Sequence, residues 1–115
     1  LRGIPMSVVN EIQDSELTLL LADKRLVLIY FTSSRCDPGH NLDPILVTLS
    51  EDYKSHAKIV KLDIDKNKIV AQNFKVYIIP AILIFKQGIL VDKLLGIASY
   101  DRFNTVIEKH LCSGL

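Results

Sequence analysis

The stretch from Leu26 to Leu46, LVLIYFTSSRCDPGHNLDPIL, constrains this chain more than any other. It opens with an unbroken apolar run, Leu26 to Phe31, the pattern of a strand buried on both faces and therefore of a sheet covered by helices on both sides. Small or charged residues follow from Thr32 to Arg35, then Cys36, Asp37, Pro38, Gly39 and His40. Beyond them Leu42, Ile45, Leu46 and Leu49 recur on one side of a predicted helix running from about Cys36 to Lys54. A cysteine at the mouth of a helix meets unpaired N–H groups and the positive end of the helix dipole, and both favour thiolate over thiol. Arg35 acts in the same direction, Asp37 opposes it, and His40 four residues on can share the helix face.

The rest of the chain supplies a sheet for that strand. Ser7–Ile12 is a candidate first strand, and Asp14 or Ser15 is expected to cap a helix carrying Leu17, Leu20 and Leu21. Pro44 lacks an N–H and is expected to kink the helix that follows Cys36. A second strand, Ile59–Ile64, alternates so that Lys61 could turn toward the core. Residues 66–74 form a predicted helix with Ile69, Val70 and Phe74 inward. Ala81–Phe85 and Ile89–Leu95 flank Lys86-Gln87-Gly88 as the arms of an antiparallel hairpin. Gly96 breaks the second arm, and Ser99 caps a last helix with Phe103, Val106, Ile107 and Leu111 on one stripe. The order is β-α-β-α-β-α-β-β-α: an α/β fold with a central mixed sheet and helices on both faces.

With 115 residues, 49% hydrophobic and 23% charged, the chain has the size and composition of one globular domain, expected over residues 6–115. A net charge of +1 makes no field that would recruit nucleic acid or an anionic membrane, and there is no apolar run of spanning length. Residues 1–5 are expected to come from an expression vector, with Met6 as the natural start and no room for a signal peptide. The location expected on that basis is the cytoplasm, or an organelle stroma if the gene is organellar. Two cysteines, Cys36 and Cys112, are too few for a disulfide scaffold. Cys112 reads as a small apolar residue closing the last helix, too far from Cys36 to resolve it within one chain. His56 and His110 read as surface residues, and no metal site is expected because Cys36 and His40 alone do not make one.

The strand-to-Cys36 junction, Pro38, Pro44, Lys61-Leu62-Asp63-Ile64-Asp65, Ile78-Ile79-Pro80-Ala81, Phe85-Lys86-Gln87-Gly88 and Gly96 together resemble the thioredoxin family, over nearly the whole span from Met6 to Leu111. The resemblance implies a thioredoxin fold, a cis Ile79–Pro80 bond beside Cys36, and an apolar substrate groove made by Ile79, Pro80, Leu95, Gly96 and Ile97. It also implies thiol–disulfide exchange with Cys36 as nucleophile, on protein partners bearing reactive thiols or disulfides.

The departures from the family pattern change the chemistry. The family's Trp-Cys-Gly-Pro-Cys reads Arg35-Cys36-Asp37-Pro38-Gly39 here, so glycine stands where the resolving cysteine belongs. Tyr30 stands where the family buries an aspartate that serves that second thiol. One cysteine can attack a disulfide but needs an external thiol for release. The chain therefore reads as a single-cysteine thioredoxin-like protein, a thiol–disulfide oxidoreductase without a resolving cysteine. It needs no cofactor, and glutathione is a candidate co-substrate. A non-catalytic module that binds peptides in the same groove is the alternative, and a thiol-based redox sensor is a third reading.

Overall fold

The computed structural model describes residues 9–33, 42–96 and 98–111. Its elements are β1 (Asn10–Glu11), a 3-10 turn (Asp14–Glu16), α1 (Leu17–Leu21), β2 (Leu26–Thr32), α2 (Asp43–Asp52), β3 (Ala57–Asp63), α3 (Lys68–Asn73), β4 (Ala81–Lys86), β5 (Ile89–Leu95) and α4 (Tyr100–Leu111). The five strands form one mixed sheet in the order β1-β3-β2-β4-β5. β1 and β2 both run parallel to β3, while β4 is antiparallel to β2 and to β5.

β2 is central because it has no charged residue, and both of its faces are buried as far as Phe31. Leu26, Leu28 and Tyr30 join Ile59, Ile82 and Ile84 beneath α2 and α4, which add Leu46, Leu49, Phe103, Val106 and Ile107. Val27, Ile29 and Phe31 turn the other way, toward Leu62, Leu83, Phe85 and the α3 residues Val70 and Ala71, with Leu17, Leu20 and Leu21 of α1 half-buried against them. Each fully buried large apolar side chain contributes roughly 1.5–3 kcal/mol, so these two layers supply most of the drive to fold. The β4–β5 reversal uses Gln87 at φ +52° and Gly88 at φ +81°, the left-handed pair that a two-residue hairpin loop requires. Ser99 caps α4 as expected, its Oγ accepting from the Arg102 N–H at 3.2 Å.

Several local expectations are corrected. Neither Asp14 nor Ser15 caps α1; the chain enters through the 3-10 turn, where the Glu16 carboxylate accepts from the Gln13 N–H at 3.2 Å. β1 is Asn10–Glu11, and Ile12 leaves it with its N–H on the Lys61 carbonyl at 2.9 Å; Ser7 and Val8 lie outside the described residues. β3 begins two residues before the expected Ile59, at Ala57. Pro44 falls in the first turn of α2, where an N–H has no intrahelical partner to lose, so it does not kink Asp43–Asp52. The portion of that helix expected from Cys36 to Asn41 lies outside the described residues. Ile69 points outward, 66% exposed, because the buried stripe of α3 runs through Val70, Ala71 and Phe74, a full step round the helix. His110 is no free surface residue: its Nε2 lies 2.9 Å from the Asp92 carboxylate, with its side chain only 12% exposed.

Candidate functional site

The topology brings four chain segments to one end of the sheet. β2 and β3 are parallel, so they finish together, with Thr32 opposite Asp63. β4 runs the other way and therefore starts at that end, with Ala81 opposite Phe31; β5 finishes there, with Leu95 opposite Ala81. Ser33, the last described residue after β2, thus sits at the end of the sheet where Pro80 and Gly96 enter and exit it. This is the region of open α/β sheets where ligands bind, beyond the carboxyl ends of parallel strands.

A hydrogen-bonded brace fixes the departure point. The buried Ser33 hydroxyl donates to the Asp65 carboxylate, and the Ile64 N–H reaches the Thr32 carbonyl at 2.8 Å. The Asp63 carboxylate, itself 4% exposed, accepts from the Asp65 N–H at 2.8 Å. Buried Asn67 donates to the Asp63 carbonyl at 3.0 Å and accepts from the Asp14 N–H at 2.9 Å. Three buried polar side chains are satisfied in this way, as burial demands.

The Ile79–Pro80 peptide bond is cis. Pro80 is buried and Ile79 half-buried, while the Pro80 carbonyl accepts the Gly96 N–H at 2.8 Å. Gly96 holds φ +83°, a left-handed conformation that glycine adopts without penalty. Leu95 is 55% exposed beside it, and Tyr77 and Ile78, just before Pro80, are 80% and 57% exposed. The structure therefore brings Ile79, Pro80, Leu95 and Gly96 together. Tyr77 and Ile78 add apolar surface there that strand-like patterning did not indicate. The available signal was Pro80 itself: a residue with no N–H cannot sit inside a ladder, so the apolar segment before it stays out of the sheet.

Behind this end lies a polar cavity of about 140 Å³, lined by Glu11, Tyr30, Thr32, Asp43, Lys61 and Asp63 among others. Lys61 is half-buried, which bears out the reading that its face turns inward. Arg35, Cys36, Asp37, Pro38, Gly39, His40, Ile97 and Cys112 lie outside the described residues. Among the described residues no group of three His, Cys, Asp or Glu side chains is placed to hold a metal ion.

Residues 8–109 match the family profile described as Thioredoxin. The chain belongs to the thioredoxin family. It is similar to the thioredoxin of Staphylococcus saprophyticus subsp. saprophyticus, 40% identical over 84 residues that cover 73% of this chain and 81% of that protein. The thioredoxin of Staphylococcus aureus is 37% identical over the same shares. Among solved structures, a point mutant of thioredoxin from Halobacterium salinarum NRC-1 superposes with a TM-score of 0.81, at 28% identity and with 89% of each chain covered. The α/β thioredoxin fold and a thiol–disulfide redox role follow from this membership. No helix among the described residues is long and apolar enough to cross a membrane.

Proposed function

We propose that this thioredoxin-family protein carries out thiol–disulfide exchange with a single cysteine. Cys36 is the nucleophile, and one observation carries the reading: Gly39 occupies the position three residues on where a dithiol thioredoxin has its second cysteine. The Cys36 thiolate attacks a substrate disulfide, R–S–S–R′, forming a mixed disulfide Cys36–S–S–R and expelling R′–S⁻. An external thiolate, from glutathione or a protein, then attacks the mixed disulfide; it leaves as the oxidised partner, R–S–S–R″, and Cys36 returns as thiolate. Arg35, Asp37, Pro38, Gly39 and His40 form the loop that sets the thiolate's reactivity. Ile79, Pro80, Leu95, Gly96 and Ile97 form the groove that holds an extended substrate. A reducing compartment such as the cytoplasm supplies the external thiol.

The test is the pH dependence of Cys36 alkylation in a Cys112→Ser background, together with the mass of the protein after exposure to oxidised glutathione. A thiolate formed well below the free value of about 8.5, with an adduct that forms fast and is removed by reduced glutathione, supports turnover. A slow, ordinary thiol refutes it and leaves the peptide-binding module. A stable adduct that reduced glutathione does not remove identifies a sensor.

A further inference from the structure

Ser33 follows β2 directly, and Cys36 comes three residues after it. Ser33 is 8% exposed, and its hydroxyl donates to the half-buried Asp65 carboxylate. An alanine would fill the same space without taking a hydroxyl out of water, so the reason for a serine lies in that bond.

Asp65 itself stands on a pinned turn. The Asp63 carboxylate holds its N–H at 2.8 Å, and the Lys66 N–H and the Asn67 side-chain amide both reach the Asp63 carbonyl, at 3.2 and 3.0 Å. The Ile64 N–H on the Thr32 carbonyl, at 2.8 Å, ties the same turn to the end of β2. The Ser33–Asp65 bond thus anchors the chain just ahead of Cys36 to a turn that is fixed from behind.

The bond also has an electrostatic side. Consecutive Cα atoms are about 3.8 Å apart, so the Cα atoms of Ser33 and Cys36 lie at most about 11 Å from each other. The carboxylate bonded to Ser33 therefore acts on Cys36 from within roughly 15 Å, where the field of a half-buried charge is only partly screened. A carboxylate opposes a thiolate, and a hydroxyl hydrogen lying on that carboxylate weakens its field.

We propose that Ser33 and Asp65 are positioning residues for the Cys36 thiolate: Ser33 holds the chain ahead of the sulfur and blunts the Asp65 charge, while Asp65 supplies the anchor and opposes the thiolate. This rests on the reading of Cys36 as the nucleophile. Asp43, Lys61 and Asp63, which line the cavity that Ser33 borders, and Arg35, Asp37 and His40 beside Cys36 in the sequence bear on the thiolate too. They are identical in the parent and in variants of the pair, so the comparison isolates Ser33 and Asp65.

The experiment is the pH profile of Cys36 alkylation by iodoacetamide in the full chain carrying Cys112→Ser, with Ser33→Ala, Ser33→Thr or Asp65→Asn added. Urea unfolding shows that each variant is folded. Ser33→Ala removes the anchor and one donor from Asp65, so the profile moves to higher pH and alkylation at pH 7 slows about twofold or more. Asp65→Asn removes the charge while its amide oxygen still accepts from Ser33, so the profile moves to lower pH and alkylation at pH 7 speeds up about twofold. Ser33→Thr keeps the hydroxyl and the parent profile. A merely structural bond would move Ser33→Ala and Asp65→Asn in the same direction, so shifts of one sign, or none, overturn the proposal. Ser33→Thr behaving like Ser33→Ala overturns it as well. If Ser33→Ala does not fold, Asp65→Asn decides alone: a profile that stays in place or moves to higher pH overturns the proposal. The parent's own profile tests exchange by Cys36, whereas the differences from the parent test the pair, so the two readings fail separately.

Discussion

Tyr30 and Lys61 stand directly opposite one another on the parallel strands β2 and β3, and Glu11 faces Lys61 from the far side on β1. Residues opposed in a parallel ladder share a face, so an aromatic, a cation and an acid form one row across the sheet. The row is graded. Tyr30, 1% exposed, lies in the core under α2 and α4, Lys61 is half-buried, and Glu11 is exposed. Tyr30 is thus a packing residue as much as a polar one.

Replacing Tyr30 by aspartate, the residue that dithiol relatives are expected to carry, should cost about 3–5 kcal/mol, as other losses of a buried aromatic do. Tyr30→Phe keeps the ring and should cost about 1 kcal/mol. Urea denaturation of both variants measures this. A Tyr30→Asp midpoint equal to that of the parent would disprove the packing role.

Gly39→Cys adds the missing second thiol and should give measurable insulin reduction with a thiol-reducing partner. The rate should stay below that of a dithiol thioredoxin, because Tyr30 offers no carboxylate to accept the second thiol's proton. The Tyr30→Asp, Gly39→Cys double variant should be faster per folded molecule and markedly less stable. If Gly39→Cys alone matches a dithiol thioredoxin, the account of Tyr30 is wrong.

Gly96→Ala should destabilise the protein by about 1–2 kcal/mol, the penalty for an L side chain in a left-handed conformation. The cost is conformational, since a Cβ at Gly96 would meet nothing within 4 Å. Gly96→Asn should lose less, because asparagine tolerates this region. Equal losses in thermal unfolding would point to a steric cause instead.

Tyr53 joins α2 to α4, its hydroxyl bonded to Asn104 and, at 2.8 Å, to Glu108. Burial, with the Glu108 carboxylate adding to it, pushes the phenol up to about 12. The folded state keeps this proton while the unfolded chain releases it near 10. The contribution is therefore intact below pH 10 and disappears as pH rises from about 10 through 12. Tyr53→Phe should flatten the loss of stability over that window, and absorbance titration at 295 nm should lose its latest phenol.

The acid side is carried in part by Asp23. The Arg25 hydrogen bond, against the upward push of burial, lowers its carboxyl to about 2. A depressed carboxyl stabilises the fold above its unfolded pKa, and that contribution is lost as pH falls from about 4 through 2. Both side chains are partly exposed, so Asp23→Asn should cost under about 1 kcal/mol at pH 7 and only a small part of that at pH 2. Urea midpoints at the two pH values check it. Asp92 shows the same direction: burial pushes its carboxyl up, but the His110 hydrogen bond and the Lys93 N–H outweigh it.

What the chain determines locally was legible in advance. β2 announces itself as a continuous apolar run, the β4–β5 hairpin as two apolar strands around a glycine turn, and α4 as a Ser99 cap followed by one stripe. Those signals belong to consecutive residues, because backbone conformation and periodic burial are decided within a few positions. The missing second cysteine at Gly39 is likewise a property of the sequence alone. The tertiary structure decided which distant residues meet. Sheet order set Tyr30 against Lys61, brought His110 onto Asp92, and put Gly96 against the Pro80 carbonyl. These pairings have no local cause. Each depends on the register and topology that bring residues far apart in the sequence together, and the energy that selects that topology is the burial of both faces of β2.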